Sequence, residues 1–109
     1  MNDKPVIPRE LALLDVEDAI DYYLEKASEA IALGFVNELE HAYTRIGNWP
    51  EIGSLRYAIE LQIPGLRFFP LNRYPFLVFY LVQNTHVEVW RILHERRDIP
   101  EFLRTEVPD

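Results

Sequence analysis

Apolar residues recur at helical spacing through the first half of the chain. After an extended lead-in at Pro5–Pro8, the pattern predicts two helices that pack as an antiparallel hairpin with a short connection. Ser28 is expected to cap the second helix, Gly47 to end it, and Gly34 to mark a close approach to the first helix. The two apolar stripes are Leu13, Val16, Ile20, Tyr23 and Ala27 in the first helix, and Ile31, Phe35, Leu39, Ala42 and Ile46 in the second.

Beyond the second helix the apolar period changes to about 2, which is typical of strands. The segment LRYAIEL (55–61) has the pattern of a poorly formed strand or an ordered loop, and GLRFFPL (65–71) that of a strand interrupted by proline. YPFLVFYLV (74–82) is apolar on both faces and is expected to be the central strand. HVEVWRIL (86–93) alternates, with one face made of Val87, Val89, Arg91 and Leu93, and the other of His86, Glu88, Trp90, Ile92 and His94.

Together these elements predict an α+β fold. A short N-terminal strand precedes the antiparallel helix hairpin, and a three-stranded antiparallel meander follows it. The helices are expected to pack on one face of the sheet. The last segment, IPEFL (99–103), resembles a short C-terminal helical turn. We expect one domain over residues 1–109, with a core at about residues 5–103.

Composition narrows the class of protein. Apolar residues make up 49% of the 109 residues, enough for a small core, and cysteine is absent, which excludes disulfides and thiolate metal sites. The N-terminus MNDKPVIPRE has neither the basic nor the apolar region of a signal peptide. The apolar runs are too short to cross a membrane. A cytoplasmic protein without membrane contact is the expectation.

Charge is distributed unevenly along the chain. Residues 1–54 carry four cations and eleven acids, a net charge of 4 − 11 = −7, whereas residues 55–109 carry seven of each and are neutral. The total of −7 argues against sequence-independent binding to nucleic acid. Every cation of the second half is arginine, which holds carboxylates and phosphates in bidentate geometry.

Catalytic metal and cofactor motifs are absent from the sequence. His86 and His94 are eight residues apart on one predicted strand, about 26 Å, so they cannot share an ion. There is no metal-binding HExxH pattern, no glycine-rich phosphate loop and no nucleophile elbow. We therefore expect no metal site and no cofactor.

Two groups of cationic residues remain as candidate binding sites. Arg67 and Arg73 lie among aromatic residues, a combination suited to recognition of a nucleotide or protein, although the same aromatics also suit a core. His94, Arg96 and Arg97 follow the last strand, where loops expose side chains. The alternative for this second group is an ion-pair cluster that staples the C-terminal turn, using Glu95, Asp98 and Glu101.

Three large aromatic residues exceed what so small a core can hold at its centre: Trp49, Trp90 and Phe102. Exposed aromatic side chains are typical anchors of protein interfaces. We therefore expect these three to contact a partner protein, whose segment lies along the sheet and helix hairpin or adds a strand to the sheet edge.

The order of several short motifs resembles the ParE branch of the ParE/RelE toxin superfamily. Members share a series of motifs that corresponds here to Leu66-Arg67, Tyr74-Pro75, Tyr80 and His94-x-Arg96-Arg97-Asp98. Upstream, the pattern A…GF…L over residues 32–39, then Pro50 and Gly53, fits as well. The resemblance covers about residues 5–103, and the topology predicted from the apolar pattern matches the fold of the family.

The resemblance implies the toxin of a type II toxin–antitoxin system. Such a toxin poisons DNA gyrase by binding rather than by catalysis, and a ParD-like antitoxin neutralises it in a hetero-oligomer. Contact with DNA is then expected only within the gyrase complex. The implied target contacts are Arg67, Arg73, His94, Arg96 and Arg97. Many relatives are basic, whereas this chain is acidic.

The alternative within the superfamily is a RelE-like endoribonuclease that cuts messenger RNA on the ribosome. That chemistry requires cations around the scissile phosphate and a group that activates the 2′-hydroxyl. Here Pro75 stands where RelE-like enzymes place arginine, and Phe102 stands near the place of their catalytic tyrosine. A different acid/base set would be Glu60, Arg67, His94 and Arg96. A third possibility is a divergent, non-toxic interaction protein on the same fold.

Overall fold

The computed structural model describes residues 4–104, apart from the side chain of Arg104. The ends of the predicted domain, residues 1–3 and 105–109, lie outside the described residues. The elements are β1 (Val6–Pro8), α1 (Glu10–Lys26), α2 (Glu29–Asn48), a 3-10 turn (Pro50–Ile52), α3 (Arg56–Leu61), β2 (Arg67–Pro70), β3 (Phe76–Val82), β4 (Val87–His94) and α4 (Ile99–Arg104).

The strands form one sheet in the order β1-β4-β3-β2. β2, β3 and β4 are antiparallel neighbours, which confirms the predicted meander. β1 pairs in parallel with the first half of β4. Val78, Phe79 and Tyr80 of β3 are fully buried, as expected for an inner strand. The predicted α+β fold is confirmed.

Helices cover both faces of the sheet. α1 and α2 pack on one face, where Phe35 and Ile46 share a buried cluster with Val78 and Tyr80. α3 and α4 pack on the opposite face, around Phe79. The prediction that helices occupy one face was wrong, because LRYAIEL forms α3 and, together with α4, supplies a second layer.

α3 is a helix because its apolar residues are buried at helical spacing. Tyr57, Ala58 and Leu61 lie on one side of the helix and join the second cluster. The helix ends where Gln62 adopts a left-handed conformation with φ 56°, and the Ile63 N–H donates to the Ala58 carbonyl at 3.0 Å. In so short a segment strand and helix patterns overlap, so the prediction of a strand or loop was wrong.

α2 begins as predicted and ends later than predicted. The Ser28 Oγ accepts a hydrogen bond from the Ile31 backbone N–H at 3.1 Å, which confirms the cap. Gly47 lies inside the helix, which continues to Asn48, so the predicted stop was wrong. A Cβ at Gly47 would lie only 2.7 Å from the Lys4 carbonyl oxygen. Glycine is required there because the N-terminal segment crosses the helix.

Gly34 marks a close approach, but to Tyr74 and not to α1. A Cβ at Gly34 would collide with the Tyr74 hydroxyl. That hydroxyl donates to the Ile31 carbonyl at 2.8 Å. The predicted helix–helix contact at Gly34 was therefore wrong, and the glycine admits a phenol ring from the β2–β3 loop instead.

Small residues dominate the buried side of α1. Ala12 and Ala19 are buried, and Val16, Ile20 and Tyr23 are half-buried against the same core. Alanine lets the helix backbone approach the sheet closely. Three residues of the predicted stripes are exposed: Leu13, Ala27 and Ile31.

A β-bulge in β4 shifts its alternation by one residue. Tyr80 pairs with Val89 and Phe79 with Arg91, so Trp90 is the extra residue. The predicted alternation therefore holds through Trp90 and fails beyond it. The residues of β4 in the hairpin-side cluster are Val87, Val89 and Ile92, and those in the opposite cluster are Trp90 and Leu93.

Asp15 ties α1 to β4 just beyond the end of β1. Its carboxylate accepts hydrogen bonds from Nε and Nη2 of Arg91, each at 2.8 Å, and from the Ile92 backbone N–H at 2.9 Å. The Asp15 and Arg91 side chains are 13% and 11% exposed. Since β1 ends with Pro8 opposite Val89, the carboxylate takes the place of a strand partner for Ile92.

We expect Asp15→Ala to lower the free energy of unfolding by about 3–5 kcal/mol, because it removes the Asp15 carboxylate from a nearly buried guanidinium and from a strand N–H. Urea denaturation followed by circular dichroism measures the change. Asp18→Ala, at an exposed position three residues along α1, is the control. Equal effects of the two substitutions would contradict the assigned role of Asp15.

Candidate functional site

One end of the sheet brings together Arg73, His94, Arg96 and Arg97, which we call the basic end. Phe76, at the start of β3, pairs with His94, at the end of β4. Beyond this pair the Glu95 N–H donates to the Pro75 carbonyl at 2.9 Å, which joins the β2–β3 loop to the turn after β4. Arg73 of the first predicted group therefore lies at the same end of the sheet as the whole second group.

His94 is held in one orientation. Its ring is half-buried and packs edge-on against Phe76 with ring centroids 5.4 Å apart. Its Nδ1 accepts a hydrogen bond from the Arg96 backbone N–H at 3.1 Å. A neutral ring with Nδ1 as acceptor carries its proton on Nε2. In this arrangement the Nε2–H of the ring can donate a hydrogen bond to a partner.

Arg96 and Arg97 are exposed, and α4 is held by other groups. The Asp98 Oδ1 accepts from the Glu101 N–H at 3.3 Å, and the Asp98 carbonyl accepts from the Phe102 N–H at 3.1 Å. The Arg97 guanidinium lies 5.3 Å from the Phe102 ring centroid. Within residues 4–104 neither arginine forms an ion pair. The alternative of an arginine–carboxylate staple is therefore not realised there.

Arg73 is exposed, on the β2–β3 loop, with a left-handed backbone at φ 71°. The loop closes where the Leu71 N–H donates to the Phe76 carbonyl at 2.9 Å. A positive φ is uncommon for arginine and is tolerated in a tight turn. The turn leaves Arg73 at the surface without an ion-pair partner among the described residues.

Arg67 belongs to a different part of the structure. Its Nη1 donates to the carbonyls of Glu51 and Gly53, at 3.0 and 2.7 Å. Beside it the buried Tyr80 hydroxyl donates to the Pro50 carbonyl at 2.8 Å and accepts from the Gly53 N–H at 2.9 Å. Burial raises the pKa of Tyr80, so the hydroxyl keeps its donor proton. Arg67 and Tyr80 fasten the segment after α2 to the sheet.

The three predicted surface aromatics differ in exposure. Trp49 is 55% exposed, as expected. Trp90 is only 8% exposed, with the Arg9 guanidinium 4.8 Å from its ring and its Nε1 donating to Glu88 at 2.9 Å. The prediction of an exposed Trp90 was wrong because α3 and α4 cover that face of the sheet, where Trp90 joins the second buried cluster. Phe102 is half-buried and has two guanidinium neighbours, Arg91 at 5.6 Å and Arg97.

The alternative acid/base set does not converge. Arg67 pairs with Tyr80 and His94 pairs with Phe76, and these partners are four residues apart in β3, about 13 Å. Glu60 is exposed on α3, the helix layer opposite the hairpin. Only His94 and Arg96 of the set are neighbours. In residues 4–104 no group of three or more potential ligands is arranged to hold a metal ion.

No helix of the described chain is both long enough and apolar enough to span a bilayer.

The comparisons with known proteins agree with the resemblance read from the sequence. The family model described as the ParE toxin of the type II toxin–antitoxin system parDE matches residues 6–99. The chain belongs to the ParE toxin family. A solved structure of the chromosomal ParDE TA system from P. aeruginosa contains a similar chain, with a TM-score of 0.70 and 21% sequence identity over 84% of this chain and 96% of that chain. Among curated proteins none matches significantly.

Three features of this ParE-family chain escaped the sequence reasoning: the Asp15–Arg91 pair, the bulge at Trp90, and the internal role of Arg67. Only the first left a trace in the sequence. Asp15 lies between Ala12 and Ala19 on the buried side of α1, where a carboxylate requires a partner. Backbone-directed contacts such as those of Arg67 have no residue pattern.

The structure predicts a larger loss of stability from substitution of Arg67 than from substitution of Arg96 and Arg97. Arg67→Ala should lower the free energy of unfolding by about 1.5–3 kcal/mol, because charge-assisted bonds to two carbonyls are lost. Arg96→Ala/Arg97→Ala should cost about 1 kcal/mol or less, the contribution of one exposed cation–π contact. Thermal and urea unfolding measure both. A double variant as unstable as Arg67→Ala would make the pair a structural staple.

Proposed function

We propose that this ParE-family protein is a toxin that binds DNA gyrase through its basic end and is neutralised by a ParD-like antitoxin. The observation that carries the proposal is the set of exposed arginines at one sheet end, without carboxylate partners in residues 4–104, in a chain matched to the ParE toxin over residues 6–99. Arg73, Arg96 and Arg97, with His94, form the proposed contact. Arg67 is left out because its guanidinium holds two backbone carbonyls.

The chemistry of the basic end suits a carboxylate or a phosphate. Arginine presents a rigid fork of donors to either anion, and the Nε2–H of a neutral His94 adds a further donor. The net charge of −7 opposes capture of free DNA, so the first contact is with an acidic patch of the gyrase protein. DNA phosphates come within reach only inside the gyrase–DNA complex.

The proposed action is inhibition by binding, without a chemical step of its own. A ribonuclease site would need a base, an acid and several cations at one scissile phosphate. Here the Nδ1 of His94 accepts from the Arg96 N–H, and the nearly buried Arg91 is paired with Asp15. These contacts favour the gyrase poison over the endoribonuclease.

We expect Arg96→Ala/Arg97→Ala to weaken inhibition of gyrase supercoiling. Each lost charge-assisted hydrogen bond is worth about 1.5–3 kcal/mol, so the inhibitory concentration should rise by about tenfold or more. Purified gyrase, relaxed plasmid and a toxin titration give the measurement. Arg56→Ala, an exposed arginine on α3, is the matched control and should inhibit like the wild type.

Unchanged inhibition by the double variant at native stability would place the contact elsewhere. Primer extension on a messenger RNA in a translation extract tests the endoribonuclease. Codon-specific cuts that disappear in Arg96→Ala would overturn the gyrase proposal in favour of RNA cleavage.

The antitoxin contact is expected to cover Trp49. Its indole is exposed directly after α2, whereas Trp90 is buried, so a change in tryptophan emission on complex formation reports on Trp49. The product of the adjacent gene, titrated at micromolar concentration, should shift the emission to shorter wavelength as water is excluded. Trp49→Phe should abolish the shift. Absence of any complex with the wild type would contradict the toxin–antitoxin assignment.

A further inference from the structure

The β2–β3 loop is anchored on two sides by two consecutive residues, Tyr74 and Pro75. The Tyr74 hydroxyl donates to the Ile31 carbonyl, in the first turn of α2, at 2.8 Å. The Pro75 carbonyl accepts from the Glu95 N–H, in the turn after β4, at 2.9 Å. The loop is therefore tied both to the helix hairpin and to the turn that carries the other residues of the basic end.

The side chain of Tyr74 is held as firmly as its hydroxyl. Its ring packs edge-on against Tyr23 of α1 and Phe35 of α2, with ring centroids 5.4 and 5.8 Å apart. Gly34 leaves the slot that the hydroxyl occupies, because a Cβ at that position would collide with the phenol oxygen. Pro75 restricts the backbone of the preceding residue to extended conformations. The ring, the hydroxyl and the backbone of Tyr74 are thus all constrained.

Arg73, directly before this anchored residue, has an unfavourable backbone conformation. Its φ of 71° lies in the left-handed region, which residues with a Cβ seldom adopt. Such a conformation persists only where the surrounding structure imposes it. The Arg73 side chain is exposed and forms no ion pair within residues 4–104, so no ion pair of its own imposes the conformation. The constraint therefore comes from the neighbouring residues of the loop.

Two sources of that constraint are present. One is the backbone closure of the loop, in which the Leu71 N–H donates to the Phe76 carbonyl at 2.9 Å and the Phe76 N–H donates to the Tyr74 carbonyl at 2.8 Å. The other is the anchored phenol of Tyr74. The backbone closure spans residues within the loop only, whereas the phenol fixes the loop against the hairpin.

The sign of φ determines where the Arg73 side chain points. A change from a left-handed to an ordinary negative φ turns the Cα–Cβ bond relative to the adjacent peptide groups. With the chain after Arg73 fixed by Tyr74, such a change would redirect the guanidinium. The left-handed conformation is therefore part of what places Arg73 at the same end of the sheet as Arg96 and Arg97.

We propose that Tyr74 is a positioning residue of the basic end, whose hydroxyl in the slot at Gly34 holds Arg73 in the conformation that presents its guanidinium to the target. The inference rests on the proposed function for the contact of Arg73 with the target, and it adds the residue that places this contact. Tyr74 acts through Arg73, since its own hydroxyl proton is donated to the Ile31 carbonyl.

Tyr74→Phe tests the hydroxyl with the smallest change, because the variant keeps the ring. In NMR spectra of the full-length protein, a positive φ brings the amide and α protons of one residue close together and gives a strong Overhauser effect between them. We expect this signal to be strong for Arg73 in the wild type and weak in Tyr74→Phe. Tyr22→Phe, at a 58% exposed position of α1, is the matched control and should leave the signal strong. Retention of the signal in Tyr74→Phe would overturn the proposal and assign the conformation to the backbone closure.

Gly34→Ala tests the slot through a reversal of sign. In the wild type the added methyl group meets the phenol oxygen, so the thermal midpoint should fall. In the Tyr74→Phe background the nearest ring carbon, Cζ of residue 74, lies 3.5 Å from the added Cβ, which is an ordinary contact. The helix propensity of alanine should then raise the midpoint by about 4 °C. An equal change in both backgrounds, of either sign, would refute the seating of the hydroxyl at Gly34.

Inhibition of gyrase supercoiling tests whether the placement of Arg73 matters for the target. Arg73→Ala should raise the inhibitory concentration by about tenfold and Tyr74→Phe by about threefold or more. The double variant should inhibit no worse than Arg73→Ala alone, because the effect of the hydroxyl passes through the guanidinium. Additive losses would mean that Tyr74 acts independently of Arg73 and would overturn the positioning role. Tyr22→Phe should inhibit like the wild type.

The two readouts separate this proposal from the proposed function. A wild-type protein that does not inhibit gyrase refutes the proposed function, and the NMR signal of Arg73 then decides on the anchor by itself. A signal lost in Tyr74→Phe with unchanged inhibition refutes the positioning role and leaves Arg96 and Arg97 as the target contact. A lost signal together with a non-additive loss of inhibition supports both proposals.

Discussion

The carboxylate of Asp15 holds three layers of the protein together. Through Arg91 and the Ile92 N–H it joins the hairpin to β4 beyond the end of β1. The same Arg91 guanidinium lies 5.6 Å from the Phe102 ring, so the contact reaches α4 on the other side of the sheet. A strand N–H and a nearly buried guanidinium are both costly without an acceptor. One side chain therefore links α1 to β4 just after the bulge and, through Arg91, reaches α4, which its own buried residues Ile99 and Leu103 also hold.

The course of β4 after this contact also determines where the basic end lies. The bulge at Trp90 brings Ile92 back to the hairpin side, and β4 then runs on to His94 beside Phe76. Phe76 in turn packs against Phe35 and Tyr23, with ring centroids 5.3 and 6.3 Å apart, so the His94 ring is the last of a series of aromatic contacts from the hairpin. The exposed arginines begin only where this packing ends. A rigid support under an exposed charged turn is the arrangement that a binding site requires.

The sequence predicted the parts of this fold that depend on repeated apolar spacing. The meander, the Ser28 cap and the last helical turn all follow from local patterns, and each is present. Prediction from the sequence failed where contacts between residues far apart in the chain determine the local structure. α3 is too short for its period to be distinctive. The bulge at Trp90 is a shift in the pairing of β4 with β3, which the pattern of β4 alone does not reveal. At the basic end, the position of Arg96 and Arg97 just after the last strand was enough to predict that they are exposed. The hydrogen bonds from Arg67 to two backbone carbonyls could not be predicted from the sequence.

Segregation of charge gives the two parts of the protein different electrostatic character. Residues 10–48, which contain the helix hairpin, carry all of the net charge of −7, so the remainder of the chain is neutral overall. An acidic patch on another protein would therefore be repelled by the helices and attracted by the exposed arginines of the basic end. Charge alone then determines which face of the protein such a patch can approach, although the chain as a whole is acidic.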